Sequence, residues 1–362
     1  MAALPLHSFH ERRNASFAEV RGEEVVLSCS SPEQEYLHLH QTAAWLDLSF
    51  RGRVCLLGTD REKFLHGQVT NDVAGLKVGQ GCYAAIVDGK ARLQGDLFIY
   101  KLQDELLLDF EPGLTSRLAE RLEKYIIAED VQVVDVAPHF GLLSVQGPAS
   151  EKVIKALGWF PELPANHLGW TRAEAGEVGE VYLMRNPRFG TAGFDLFVPI
   201  AGLEQAAKAL DGATTQAGGG FTGWQAMEIA RIEGGIPRFG ADMDETNLAP
   251  EALQGNAISY AKGCYIGQEI IARIRTYGSV AKALRVLQLP AELHQLPPAG
   301  EKLWNSEGKE VGYITSATLA PGSGAKIALG YVRREANTPG TALHLGSATG
   351  GTVTVLDNAA RK

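Results

Sequence analysis

Short apolar runs bounded by glycine or by an Asp-Gly pair recur along this chain. They restrict it to folds rich in short, turn-linked strands. Val54-Cys55-Leu56-Leu57 lies between Gly52 and Gly58. Ala84–Val87 and Leu97–Leu102 flank Asp88-Gly89, which signals a hairpin. Leu106–Phe110, Val131–Val136 and Leu142–Val145 read the same way, with Gly147-Pro148 breaking the last.

Helical spacing interrupts this pattern without alternating strictly with it. Asp60 to Leu65 reads as a helix start, with Asp60 or Thr59 as its N-cap. Leu118, Leu122 and Tyr125 with Ile126 make Thr115–Ile127 an amphipathic helix. Gly218-Gly219-Gly220 reads as a flexible approach to a helix carrying Trp224, Met227, Ala230 and Arg231, and Gly234-Gly235 ends it. Irregular mixing of this kind points to an α+β class rather than a doubly wound sheet. Beyond residue 280 the texture changes. Pro290, Pro297 and Pro298 punctuate short strands at Leu284–Leu289, Val311–Ile314, Ile327–Val332 and Thr352–Leu356, with glycine-rich turns between them. This predicts a small β-barrel over 280–362, following a mixed region over 1–279.

Composition removes several classes. A chain of 362 residues buries a core without disulfides or a structural metal. Its 42 acidic against 34 basic residues give a net charge of −8, which excludes general coating of nucleic acid. Cys29, Cys55, Cys82 and Cys264 form no Cys-x-x-Cys pair and fit a reducing compartment. No apolar run reaches signal-peptide or membrane-span length, so a cytoplasmic protein without a membrane partner is expected. There is no phosphate-loop motif and no His-Glu-x-x-His, and Gly322-Ser323-Gly324 falls in the β-rich tail. His38 and His40 read as one face of a strand with no further ligand at metal spacing, so no metal site is expected.

One segment carries a chemical signal. It runs Lys262-Gly263-Cys264-Tyr265-Ile266-Gly267-Gln268-Glu269 and continues Ile270-Ile271-Ala272-Arg273. Ile266, Ile270 and Ile274 fall four apart, which predicts a helix from about Gly267 that buries this stripe. Lys262 and Cys264 then lie on the loop leading into the helix, where the ammonium and the helix N-terminus would depress a thiol pKa. From Lys262 to Arg285 five basic residues (with Arg273, Arg275 and Lys282) face one acid, Glu269, a balance suited to an anionic ligand. The alternative for each piece is a buried cysteine and a solvated basic face.

The Lys262–Glu269 run, with Ala272-Arg273 and Gly278, resembles the signature of YgfZ-type folate-binding proteins, relatives of the glycine-cleavage T-protein, an aminomethyltransferase. Asp47-Leu48-Ser49, Leu65 to Asp72 and Gly79 to Tyr83 are similar to the opening blocks of that superfamily. Leu143 to Pro148 and Arg231 to Pro237 resemble its later blocks. The resemblance implies a three-domain, ring-like α+β fold with a C-terminal β-barrel and tetrahydrofolate, or a one-carbon derivative, in a central channel.

The resemblance also assigns roles. The T-protein's pterin-binding acid matches Asp195 in Gly190-Thr191-Ala192-Gly193-Phe194-Asp195, and one acid of its reactive Asp-Asp pair matches Asp96. Asn71 and Tyr83 would line the channel, and Arg231 would meet the folate tail carboxylates, with an i−3 ion pair to Glu228 as the alternative. Tyr265, Gln268, Glu269 and Arg273 would lie beside the cofactor, and Lys262 and Cys264 would carry the task particular to YgfZ-type proteins. That task is folate-dependent support of iron–sulfur cluster assembly or repair, including in enzymes that modify transfer RNA. It implies transient iron–sulfur client proteins and no direct nucleic-acid contact. The alternative is an aminomethyltransferase of the glycine cleavage system.

Overall fold

The computed structural model describes residues 2–253, 255 and 257–357. The chain packs as two units, Met1–Ala84 with Asp96–Met227, and Ala85–Gly95 with Glu228–Lys362. Residues 228–281 therefore pack with the barrel, whose own first strand starts at Lys282.

The first unit holds a two-stranded sheet, Ser16–Val20 with Glu23–Ser28, a six-stranded sheet and most of a five-stranded one. A six-stranded sheet runs Trp170–Glu174, Glu180–Arg185, Gly193–Pro199, Phe140–Gln146, Ala44–Asp47, Gly220–Phe221. Only its last strand pairs in parallel, against Ala44-Trp45. The helices Ser150–Leu157 and Leu203–Gln216 pack on this sheet through Val153, Ile154, Leu203, Ala207 and Leu210. A five-stranded sheet runs Gly81–Val87, Leu93–Lys101, Leu106–Phe110, Gly52–Leu57, Gln132–Asp135. The hairpin signal at Asp88-Gly89 is thus realised between its first two strands. The predominance of antiparallel pairing gives the α+β texture that irregular mixing of strands and helices predicts.

In the second unit, six strands close a barrel in the order Lys282–Gln288, Lys326–Arg333, Glu310–Leu319, Lys302–Trp304, Ala342–Leu345, Thr352–Val355. Closure removes free sheet edges and encloses Leu287, Leu303, Ile314, Ala328, Leu343 and Val353. Two of these strands, Lys302–Trp304 and Ala342–Leu345, are too short and too polar to stand out in the sequence.

Four local readings change. His38 and His40 lie on a helix, Pro32–Gln41, not a strand: the Ser31 side chain caps it by accepting from Gln34 N at 3.2 Å, and Pro32 occupies its first turn. The amphipathic helix from Thr115 stops at Glu123. Gly219 and Gly220 are not a flexible approach but a close one, since a Cβ on Gly219 would lie 1.8 Å from the Ala43 carbonyl oxygen. The helix Gln268–Tyr277 does start after Gly267, yet its fully buried residue is Ile271, while Ile266, Ile270 and Ile274 are half-buried.

Candidate functional site

Strand register lines one face of the five-stranded sheet with polar groups. Phe98 pairs with Asp109, and Asp109 with Arg53. Side chains two residues apart share a face, so Asp96 continues the row, as do Glu111 and Arg51 just past their strand ends. The intervening Leu97, Ile99, Leu108 and Phe110 are buried on the other face.

Asp96 is the chemically distinctive member. The Tyr83 hydroxyl donates to its Oδ2 at 2.7 Å, while its Oδ1 is buried and accepts no hydrogen bond. A buried acceptor left unpaired costs about 1–3 kcal/mol, so a donor that reached it would be strongly held. Burial, and then the Glu111 charge, push the carboxyl up to about 6, against the pull of the Tyr83 bond and of Arg51. A carboxyl poised there exchanges its proton near neutral pH, which suits general acid–base chemistry. Asn71 holds the neighbouring backbone: its Nδ2 donates to the Tyr83 carbonyl and its Oδ1 accepts from Asp72 N, both at 2.8 Å.

Asp195 is fully buried, where Asp96 is half-buried, and it is fully engaged. Ser144 Oγ donates to Oδ1 and Asn186 Nδ2 to Oδ2, each at 2.8 Å, and Arg188 Nε reaches both oxygens at 3.0 Å. Arg188 Nη2 goes on to Asp109 at 2.5 Å, and Arg51 Nε reaches the other oxygen of Asp109 at 2.7 Å before pairing with Glu111. Burial raises the Asp195 carboxyl against the pull of Arg188. Burial would raise Asp109 too, but the two guanidiniums prevail and hold it below the ordinary range. As this network stands, Asp195 has no acceptor left for a ligand's donors. The Phe98 ring links the two acids: its centroid lies 5.1 Å from that of Tyr83, and the Arg188 guanidinium sits 5.0 Å over it.

In the second unit, Arg231 is 4% exposed. Its fork binds both Glu228 oxygens at 2.7 Å, Nη1 donates to Asp242 at 2.6 Å, and Nη2 to Ser316 Oγ at 3.2 Å. The i−3 pair with Glu228 is therefore formed, and the guanidinium is committed to the fold rather than offered to ligand carboxylates.

The Lys262–Glu269 run separates into buried and exposed halves. Lys262 and Tyr265 are buried, with the ammonium 4.8 Å from the ring centroid, and Cys264 between them is exposed. Cys264 lies three residues before the helix cap, Gly267, whose φ of +83° only glycine adopts cheaply. A Cβ there would also lie 2.6 Å from the Asp88 carbonyl oxygen. Gln268 opens the helix, and Glu269 pairs with Arg273 on its exposed surface at 3.2 Å. The basic excess of this stretch is dispersed: Lys282 donates to the Tyr313 hydroxyl, Arg285 to the Asn337 carbonyl, and Arg275 stacks 4.0 Å over Tyr260.

The structure thus brings Asn71, Tyr83 and Asp96 together and ties Asp195 to residues that the sequence reading did not single out: Arg51, Asp109, Glu111 and Arg188. Three of those had a legible signal, because Arg51-x-Arg53 and Asp109-x-Glu111 place charges at strand period beside apolar runs. Among the described residues, no group of three or more His, Cys, Asp or Glu is placed to hold a metal ion, and no helix is long and apolar enough to cross a membrane.

Comparison with known proteins adds to this geometry. Residues 6–262 match the GCVT N-terminal domain family, and residues 282–356 match the glycine cleavage T-protein C-terminal barrel domain. A putative chloroplastic transferase of Arabidopsis thaliana is 27% identical over 98% of this chain and 80% of its own length. An aminomethyltransferase of Streptomyces avermitilis is 27% identical over 93% of this chain and 91% of its own. The crystal structure of the glycine cleavage system aminomethyltransferase T of Bartonella henselae superposes with a TM-score of 0.86 at 23% identity, over 98% of this chain and 97% of that one. It shares the mixed architecture with a six-stranded C-terminal barrel.

Proposed function

The chain belongs to the GCVT N-terminal domain family, and on that premise we propose that it binds tetrahydrofolate and acts in the transfer of a one-carbon, aminomethyl-type group. The observation that carries this is Asp96, whose buried Oδ1 accepts no hydrogen bond and whose carboxyl sits at about 6. That atom fits a cofactor bearing N–H donors. Tetrahydrofolate, when bound, supplies the nitrogen atoms that carry the one-carbon unit. Asp96 holds or releases a proton at Oδ1, and its negative charge stabilises positive charge developing beside it. Tyr83 fixes the other oxygen, so that the carboxylate presents one edge. The similarity to curated aminomethyltransferases over more than nine-tenths of the chain supports this reading.

The experiment is a reconstituted glycine-cleavage assay with a lipoyl partner protein. Formation of methylenetetrahydrofolate that is lost in Asp96→Asn supports the proposal, and zero turnover with a competent partner rejects it.

A second reading rests on a different observation, the exposed Cys264 thiol within the intact Lys262–Glu269 run. It makes the chain a YgfZ-type, folate-binding accessory factor for iron–sulfur proteins, and it reserves the loop for client contact. It expects Cys264→Ser to abolish rescue of cluster-enzyme activity in cells lacking the protein while tetrahydrofolate binding persists. Full rescue by that variant would exclude it.

A further inference from the structure

The acid expected to read a pterin's donors is already neutralised from within. Arg188 Nε spans both Asp195 oxygens, and Nη2 lies 2.8 Å from Asp195 and 2.5 Å from Asp109. Ser144 and Asn186 fill the remaining acceptor positions of Asp195. A carboxylate so occupied has no lone pair to spare for the adjacent N–H donors of a pteridine ring. Two acids hold the Nε and Nη2 edge of the guanidinium, and Phe98 lies under its plane. Nη1 is then the nitrogen of this side chain with no hydrogen bond among the described residues. It is a fixed cationic donor in the first unit, tied through Phe98 and Tyr83 to the open oxygen of Asp96.

We propose that Arg188, and not Asp195, is the specificity-determining residue for the heteroaromatic head of the ligand, and that it selects a ring bearing an acceptor, such as the 4-oxo group of folates, over one bearing a donor there. This rests on the folate reading above and deepens it. Asp195 and Asp109 become positioning residues that clamp the guanidinium. Recognition at this point changes sign, because a carboxylate would read donors whereas Arg188 reads an acceptor. A guanidinium cannot accept a hydrogen bond at all, so a donor placed against it is left unpaired and penalised.

The test is equilibrium binding of the full chain to tetrahydrofolate and to its 4-amino counterpart, in which the acceptor is replaced by a donor, at a pH where both heads are neutral. Wild type is expected to bind the 4-oxo ligand roughly tenfold to a hundredfold more tightly, the range for losing a charge-assisted bond. Arg188→Gln should reduce that discrimination to about twofold, and Asp195→Asn should retain most of it. Saturable tetrahydrofolate binding with equal affinity for both ligands overturns the proposal while leaving the folate reading intact. Unchanged discrimination in an Arg188→Gln protein with the wild-type circular dichroism spectrum overturns it as well. Should that variant fail to fold, the wild-type comparison and Asp195→Asn still decide, since loss of discrimination in Asp195→Asn alone would return the role to the acid. No saturable binding of tetrahydrofolate removes both this proposal and the reading beneath it.

Discussion

The sheet face around Asp96 and the loop around Cys264 pair signal and geometry in opposite ways. The loop carries the most specific run in the sequence, yet its functional groups are an exposed thiol and a solvated Glu269–Arg273 pair. The sheet face is assembled from single residues far apart in the chain, yet it holds a buried unpaired oxygen, a shifted carboxyl and a chain of buried ion pairs. Polar groups inside a unit interact strongly because water does not screen them, whereas the same groups on a surface loop contribute little to stability. On the two proposed readings, the face would serve chemistry at a fixed point and the loop would serve contact with a client protein.

The largest effect should come from the buried ion pairs. Asp109→Ala strips the carboxylate between Arg51 and Arg188 and should cost about 3–5 kcal/mol in urea denaturation. A loss under about 1 kcal/mol would mean that the face is no more strongly coupled than the loop.

Asp96→Asn should lower aminomethyl transfer by at least about a hundredfold while raising stability above pH 6. The folded carboxyl sits at about 6, above the roughly 3.9 of an unfolded chain, so the native state holds the extra proton between those values. Stability from this group is therefore full below about pH 4 and is lost as the pH rises through about 6. The asparagine variant escapes that loss, by up to about 3 kcal/mol, which thermal melts across pH 4 to pH 8 would record.

Gly267→Ala should cost about 2 kcal/mol, from its left-handed backbone and the approach of the Asp88 carbonyl. It should also change the alkylation rate of Cys264, because the loop turns at that glycine. Tyr83→Phe removes a bond that lowers the Asp96 carboxyl. The acid limb of kcat/KM should then move to higher pH by about one unit, with little change in melting temperature. The smallest effect belongs to the loop surface. Arg273→Ala should alter stability by less than about 0.5 kcal/mol, and a larger value would give that surface pair a structural role.

Much of the scaffold was legible because it depends on local rules. Short apolar runs bounded by turn residues, the Asp88-Gly89 turn and the Gly234-Gly235 stop mark strands, hairpin and helix end directly. The helix at Pro32–Gln41 was missed because its signal is a Ser-Pro cap rather than an apolar stripe, and His38-x-His40 mimics strand period. Of the site, Asp96 and Tyr83 were legible by resemblance, and the structure adds the hydrogen bond between them. Arg188 was not legible, since a lone arginine after Pro187 looks like any surface cation until Asp109, 79 residues away, is folded against it.

The sequence by itself determined the strand-rich mixed class, the C-terminal barrel and the position of the thiol loop, all set by spacing within short segments. Only the tertiary structure decided which acid is open and which is spent. Asp96 and Asp195 are both carboxylates on strands, one half-buried and one fully buried, but one meets a single tyrosine hydroxyl and the other a guanidinium, a serine and an asparagine. That difference arises from long-range pairing, in which the register of the Leu106–Phe110 strand sets Asp109 against Phe98 and lets it share Arg188 with Asp195. Local pattern fixes where a side chain points, whereas the partners that set its charge come from elsewhere in the chain.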